Sequence, residues 1–504
     1  MKLPKFELAV NLSARLVAAA LSFLAVPFYI EILGVESYGL IGFFTTLQLV
    51  FFILEMGLGG AFTREVAALS STGDAVALAL LGRTLELLFL ILAVTIGIIV
   101  FFLSGVISGH WLVAESLTVE EVDQSVRLMG FVVAVQLPFL LYQAGLLGVQ
   151  HHLQLNLLLI VVYFLRYLGV IGVLLWIDAS ISTYFIWQLF VSLFQSICAR
   201  LMLFYTVKSK CKKPYFDFRM VKNIWRFAAG MAAISITSVI LTQVDKLVLS
   251  KLLTLQEFGY YSLAVLMASV PYLFASPFYN VYYPKLTALV SEDDANGLAA
   301  DYRAGSQLIA TIIFPVGMSL VFLSEPIVNI WLQDVNVSGR VYPLLSVLAM
   351  GTTLLGIMHM PYALQLAHGW TRLTLIVNVV SIVVLLPSMI FLVERYGAIA
   401  ACYTWLALNV GYILVTIQVM HRRLLLGELK NWYTYSLCYP LLITGLVSWL
   451  VSSVYIGAGI MNWPILMQLL ILAVSFLVIV SAGLLSTPVT REIVANFIRK
   501  YIEV

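Results

Sequence analysis

Fourteen apolar runs, most of them 21 to 27 residues long, succeed one another along the chain, starting near residues 9, 38, 84, 126, 154, 181, 226, 258, 304, 342, 372, 397, 434 and 463. A helix needs roughly 20 such residues, at about 1.5 Å each, to cross the hydrocarbon of a bilayer. In lipid only helices and closed barrels satisfy their own backbone, and runs of this length are helical. The chain of 504 residues is 62% hydrophobic and 11% charged, against roughly 25% charged in soluble domains. A soluble enzyme is excluded, and no sizeable soluble domain fits beside the spans. The expected fold is an all-α integral membrane protein of about fourteen transmembrane helices.

An even number of spans puts both termini on one side. Of the 28 Lys and Arg, 20 fall on that side, among them Lys208, Lys210, Lys212, Lys213, Arg219, Lys222 and Arg226, while the opposite loops hold Arg127, Lys251, Arg340 and Arg395. The excess of positive charge on cytoplasmic loops makes the termini and the 208–226 segment cytoplasmic. That segment is a topology signal, with contact to anionic lipid as the alternative. The net charge of +3 gives a nucleic-acid partner no support. The basic tip and first apolar run exceed a signal peptide's core and carry Arg15, so they read as a retained first span.

A constant offset of 220 lays the first six span starts near those of spans 7 to 12 and pairs Tyr38-Gly39 with Phe258-Gly259, Arg83 with Arg303, and Ala68-Leu69 with Ala288-Leu289. Six is even, so both copies insert with the same orientation, a parallel repeat of the kind found in transporters. The expected organisation is an N-terminal six-helix lobe (1–207), a basic cytoplasmic linker (208–225), a second six-helix lobe (226–425), and accessory helices 13 and 14 with a tail (426–504). Pro27, Pro138, Pro271, Pro277, Pro315, Pro361 and Pro387 fall within spans, as hinges or as static kinks.

A charge in hydrocarbon costs about 2.5 to 3.5 kcal/mol even on the lenient insertion scale, so each must face a cavity, a partner or the headgroups. The candidates are Arg15, Glu55, Arg166, Arg200, Asp245 and Lys246; Arg200, about two turns from its helix end, can snorkel. Helical spacing puts Asn11, Arg15 and Ser22 on one face of span 1, and Gln48 with Glu55 on one face of span 2. Span 7 carries Ser235, Ser238, Thr242 and Asp245, with Lys246 one turn past Thr242. Span 8 carries Ser269, Tyr272, Ser276, Tyr279 and Tyr283, flat rings and hydroxyls suited to sugars, or an interfacial aromatic belt at Tyr279 and Tyr283. Gln136, Gln143, Gln188, Ser192, Gln195, His359 and Gln365 complete the inward set. Arg15, Arg166 and Lys246 outnumber Glu55 and Asp245, which favours an anionic or amphiphilic ligand. The alternative is that these charges pair internally, Arg15 with Glu55 and Lys246 with Asp245.

Motifs for catalysis or nucleotide binding do not appear: there is no GxxxxGK[ST] or HExxH, and Phe62 breaks a GxGxxG at Gly57, Gly59 and Gly60. Cys198, Cys211, Cys402 and Cys438 have no paired spacing, so they read as structural, and no metal or cofactor is expected.

The segments GVESYGL (34–40), EMGLGGAFTREVA (55–67), GLLGVQHHLQLN (145–156), QVDKLVLSKLLTLQEFGYYSLA (243–264) and RYGAIAACYTWL (395–406) give the chain its likeness to a known family. It resembles the Wzx-type flippases, the polysaccharide transporter branch of the multidrug/oligosaccharidyl-lipid/polysaccharide exporters. The resemblance implies an inverted V of two six-helix lobes whose cationic cavity takes the diphosphate and glycan of an undecaprenyl-linked oligosaccharide (an O-antigen, capsule or exopolysaccharide unit), with the lipid tail left in the bilayer. It implies a bacterial inner-membrane protein, not an enzyme, with a glycan polymerase and other assembly proteins as partners. By the same likeness Arg15, Asp245 and Lys246 stand at cavity positions. The acidic position before Gly57-Leu58, often Asp in such proteins, is Glu55 here. The expected ligand contacts are Arg15, Arg166, Lys246, Asp245, Tyr272, Ser276, Tyr279, Gln48 and Gln143, with Glu55 and Asp245 as candidates for ion coupling. A lipid II flippase and a drug or cation antiporter share the superfamily; a membrane glycan polymerase would need a longer external loop than 109–125.

Overall fold

In the computed structural model the described residues are 3–72, 74–206, 216–217, 220 and 243–502. Helices account for nearly all of them; among the described residues the sole β-type pairing is an isolated bridge between Val113 and Thr254. The chain divides into two units, Met1–Gly259 and Tyr260–Val504.

The first helix, α1, runs Leu3–Thr72. Seventy residues of straight helix would measure about 105 Å, more than three times the roughly 30 Å hydrocarbon core. Gly34 resolves the conflict: at φ 79° and ψ 166° its backbone leaves the helical region, and the chain turns back. A side chain would strain that conformation, which glycine adopts freely. Two of the expected spans therefore lie within α1. Two residues on, Glu36 is buried and accepts the backbone N–H groups of Glu115 (2.5 Å) and Ser116 (2.8 Å), together with the Ser116 hydroxyl. The reversal is thus tied to the next loop on the same side.

The rest of unit 1 comprises α2 (Ala75–Val106), continued by a π-helical turn at Ile107–Trp111, α3 (Val119–Gly148), α4 (His152–Phe164), a π turn at Leu165–Gly169, α5 (Val170–Trp176), α6 (Ile181–Thr206), and α7, described over 243–252. It also takes in the first turn of α8 (Leu255–Ala268). Thr118 begins α3 with a capping box, its hydroxyl on the Glu121 N–H and the Glu121 carboxylate on the Thr118 N–H. The core gathers Phe62, Leu85, Phe89, Phe139, Tyr142 and Leu203, among others, from α1, α2, α3 and α6.

Unit 2 contains the remainder of α8, then α9 (Val270–Ser291), α10 (Ala295–Phe322), α11 (Ser324–Leu332), α12 (Val335–Ile357), α13 (His359–Ala367), α14 (Arg372–Tyr396), α15 (Ala398–Gly411) and α16 (Ile417–Leu424). The chain ends in α17 (Glu428–Asn431), α18 (Tyr439–Gly457), α19 (Ile465–Ser486) and α20 (Pro488–Ile502). Pro271, expected within a span, stands in the first turn of α9, where its missing N–H costs nothing.

Among the described residues, twelve helical runs are long and apolar enough to cross a membrane. The first, Leu16–Phe51, contains the reversal at Gly34, and the expected seventh span falls mostly outside the described residues. The runs are thus consistent with fourteen crossings. Burial ranks them within their units: 67% of the apolar window of α3 and 78% of that of α10 is buried, against 11% for α14 and for α19. α3 and α10 are the central posts of their units, and α14 and α19 are the least buried.

Candidate substrate site

Arg166 lies near the middle of the His152–Trp176 span, 14 residues from one end and 10 from the other. A π turn accommodates one extra residue, which re-aims the side chains around it. Here it carries Arg166 to α6, where a guanidinium nitrogen donates to Gln195 Oε1 (3.1 Å) and Ser192 Oγ (3.3 Å). Gln188 of α6 donates to the Arg166 carbonyl at 3.2 Å. The Gln136 amide of α3 lies beside the same guanidinium; with its oxygen turned to the arginine, Nη1 to Oε1 is 2.8 Å. Gln48 of α1 closes the row, its amide 2.6 Å from that of Gln136. Two expected ligand contacts, Gln48 and Arg166, and the inward candidate Gln136 are thereby brought together by α1, the π turn after α4, and α3.

Tyrosines line the other side. Tyr29 donates to the Tyr167 carbonyl at 2.9 Å, and its ring meets Tyr184 edge-on at 5.6 Å, while Tyr163 and Tyr167 lie 6.5 Å apart. Among the described residues, every side-chain partner of Arg166 is neutral, and no carboxylate lies within ion-pair distance. The site is therefore a fork of hydrogen-bond donors at mid-span, held by amides and hydroxyls, with no compensating charge among the described residues. Such a fork matches the paired oxygens of a phosphate.

Elsewhere in unit 1, Lys246 Nζ donates to Gln243 Oε1 at 2.9 Å. Asp245 is adjacent on the same helix, and successive helical residues do not face each other, so Lys246 is not turned to it. Arg15, Glu55 and Ser276 have side chains outside the described ones. Gln143 is half-buried on α3.

In unit 2 the predicted tyrosine ladder is present and gains a second rail. Tyr279 and Tyr283 of α9 stack at 5.4 Å with 6° between their planes, and Tyr362 of α13 stacks on Tyr279 at 6.0 Å. Tyr272 meets His359 edge-on at 5.0 Å. Tyr272 and Tyr362 are 45% and 40% exposed, which leaves ring faces available to a ligand. His359 bonds the Gly356 carbonyl through Nδ1, and Gln365 accepts from Thr374 at 2.9 Å, so Gln365 is committed to packing.

Arg200, expected to snorkel, is instead bound to Glu86 at 2.6 Å; Arg83 donates to the other oxygen at 2.5 Å, and Tyr142 OH to the first at 2.9 Å. Glu86 was absent from the candidate charges, although its i, i+3 spacing from Arg83 is a legible helix pair. Tyr163 and Tyr167 flank Arg166 in its own helical run, at a legible i, i+4 spacing, whereas Tyr29, Tyr184 and Tyr362 had no signal in spacing because they come from separate helices.

This succession of helices matches the fold of solved membrane transporters. The inward closed structure of the lipid II flippase MurJ superposes with a TM-score of 0.70 at 15% identity, covering 94% of this chain and 98% of that one. An inward-facing MATE multidrug resistance transporter gives 0.64 at 16% identity, covering 82% and 96%. At such identities the likeness establishes the fold alone. The chain belongs to the polysaccharide biosynthesis protein family, whose model matches residues 7–290. Relatives include a Shigella flexneri protein described provisionally as an O-antigen transporter, 20% identical over 215 residues (42% of this chain, 50% of that protein). Another is the succinoglycan biosynthesis transport protein ExoT of Rhizobium meliloti (strain 1021), 28% identical over 142 residues, 28% of each chain. The chain thus spans half the length of the first of these relatives and less of the second.

Proposed function

We propose that the protein translocates an undecaprenyl-diphosphate-linked oligosaccharide, an O-antigen, capsule or exopolysaccharide unit, across the bacterial cytoplasmic membrane by alternating exposure of its binding groups. The observation that carries this reading is the Arg166 guanidinium at mid-span, whose partners among the described residues are all neutral. Holding a charge there costs about 2.5 to 3.5 kcal/mol or more. Hydrogen bonds to a charged group return about 1.5 to 3 kcal/mol each, so the neutral amides and hydroxyl offset the cost of holding the charge while leaving it to be neutralised by an arriving diphosphate. The family supports a polysaccharide-pathway cargo, and the names of the two relatives support export.

In this reading Arg15 and Lys246 add positive charge around the diphosphate, Gln48 and Gln143 contact polar groups of the cargo, and Tyr272, Ser276 and Tyr279 contact the sugars. Glu55 and Asp245 are the candidates for coupling to an ion gradient. Lobes of 1–207 and 226–425, joined by a basic linker at 208–225, move with both termini in the cytoplasm. A glycan polymerase and other assembly proteins receive the product. The role is transport, not catalysis. Export of lipid-linked glycan by Arg15→Ala and Lys246→Ala, measured beside membrane insertion, tests the cationic part: full export by both variants removes it. Insensitivity of export to collapse of the proton and sodium gradients removes the coupling role.

A further inference from the structure

A groove of about 630 Å³ runs along the outer face of unit 1, floored by the small residues Ala93, Gly97 and Ala134 and walled by Val94, Ile98 and Ile197. Arg200 and Tyr142 close one end, and Phe102 and Phe131 the other. From Leu90 to Phe102 along α2 it extends about 18 Å at 1.5 Å per residue. One leaflet of hydrocarbon is roughly half of 30 Å, so the groove is matched to a single chain from one leaflet.

The offset of 220 shows what covers the corresponding trench in unit 2. There Phe314, Met318 and Ile417, the counterparts of Val94, Ile98 and Ile197, are at most 1% exposed, whereas their unit 1 counterparts are 61%, 52% and 54% exposed. The cover is the C-terminal part of the chain, beginning with segment 428–441: Glu428 bonds Arg303, Trp432, Leu437 and Leu441 pack into the same core, and Gly445 of α18 and Gly483 of α19 continue it against Met318 and Pro315. That cover is an acid followed by an apolar body. Arg303 is the counterpart of Arg83, which in unit 1 shares Glu86 with Arg200. Two guanidiniums on one carboxylate leave that cluster with a net positive charge, and the Arg200 side chain is 46% exposed at the groove mouth.

We propose that this groove is a binding site for an anionic phospholipid of the leaflet beside Arg200, with its phosphate on the Arg83–Arg200 cluster and one acyl chain between α2 and α6. The lipid does for unit 1 what the C-terminal part of the chain does for unit 2. The test is native mass spectrometry of the full-length protein in detergent, titrated with phosphatidylglycerol or with phosphatidylcholine. A single cationic side chain near a membrane surface is worth enough to give about a fivefold preference for the anionic lipid. Arg200→Gln erases that preference; Gly97→Trp, which fills the floor, removes the retained lipid; Val383→Trp, at an exposed position of α14, changes neither. Arg200→Gln decides the matter where Gly97→Trp does not fold. Equal retention of the two lipids, or a preference unmoved by Arg200→Gln, overturns the proposal. So does displacement of phosphatidylglycerol by less undecaprenyl phosphate, which assigns the groove to the cargo's tail, or a dimer that Gly97→Trp dissociates, which assigns it to a second copy.

Discussion

Gly39 and Gly259 lie against each other's backbone in a reciprocal contact: a Cβ on Gly39 would collide with the Leu255 carbonyl oxygen, and a Cβ on Gly259 would lie 2.5 Å from that of Val35. Gly39 and Gly259 are 220 residues apart, and so are Val35 and Leu255. The contact thus uses the same two positions of the 220-residue offset twice. It joins the helix after the Gly34 reversal to the start of α8, where Leu255 N also donates to the Val113 carbonyl at 2.8 Å and Trp111 Nε1 to Ser250 Oγ at 3.0 Å. Small residues let helix backbones approach this closely.

Gly39→Ala and Gly259→Ala are each expected to destabilise the protein by about 1 to 3 kcal/mol, because the obstacle is backbone and cannot swing aside. Gly82→Ala is the control: nothing lies within 4 Å of its Cβ position, and alanine in a helix interior stabilises by about 0.5 to 1 kcal/mol relative to glycine. Denaturant unfolding of the three variants in one detergent checks the ranking. Equal stability of Gly39→Ala and Gly82→Ala would count against the close approach.

Glu36→Ala strips the acceptor from the N–H groups of Glu115 and Ser116, and an unsatisfied buried donor costs about 1 to 3 kcal/mol. Glu36→Gln keeps one acceptor oxygen and should lose less. Limited proteolysis in the 112–118 loop measures the release directly, with cleavage faster in Glu36→Ala than in Glu36→Gln and slowest in the wild type.

Glu86 is 1% exposed and carries Arg83, Arg200 and Tyr142 together, so its loss leaves two guanidiniums facing each other. Glu86→Ala is expected to cost about 1 to 3 kcal/mol, because the buried Tyr142 hydroxyl loses its acceptor while the guanidiniums it leaves are half-exposed. Arg200→Ala, at a half-exposed position with Arg83 still on Glu86, should cost no more than about 1 kcal/mol. Thermal unfolding of both variants decides; similar losses would mean that Glu86 is not the centre of the cluster.

The stacked rings of Tyr279, Tyr283 and Tyr362 predict a graded effect on transport. Tyr279→Phe keeps the face and should retain most activity, whereas Tyr279→Ala loses a contact worth about 0.5 to 1.5 kcal/mol, a roughly two- to tenfold effect. Uptake of lipid-linked glycan into proteoliposomes over a range of substrate concentrations reads it out. Equal loss in both variants would assign the role to the hydroxyl instead of the ring.

How much could be read beforehand depended on the range of the interaction. Apolar runs announce their own length, so the spans and the place of the Gly34 reversal between two of them were legible. Arg166 was legible as a charge in an apolar run, and Gln136, Ser192 and Gln195 as polar residues in others. Their convergence was not, because it depends on a π turn at Leu165–Gly169 that no residue type there demands. Arg200 was misread for a related reason: snorkelling is a property of one helix, while its bond to Glu86 comes from packing α6 against α2. Tyr362 joined the tyrosine ladder through the break between α12 and α13, which lies far from α9 in sequence.

The central claim is that Arg166 holds the anionic part of the cargo, and translocation of a defined undecaprenyl-diphosphate glycan in proteoliposomes tests it most directly. Arg166→Met keeps the length and apolar stem while removing the fork, and should lower translocation at least about tenfold through the loss of charge-assisted hydrogen bonds worth about 1.5 to 3 kcal/mol each. Arg166→Lys, a point charge without the fork, should fall between Arg166→Met and the wild type. Translocation by Arg166→Met at the wild-type rate, with the protein correctly inserted, would contradict the account.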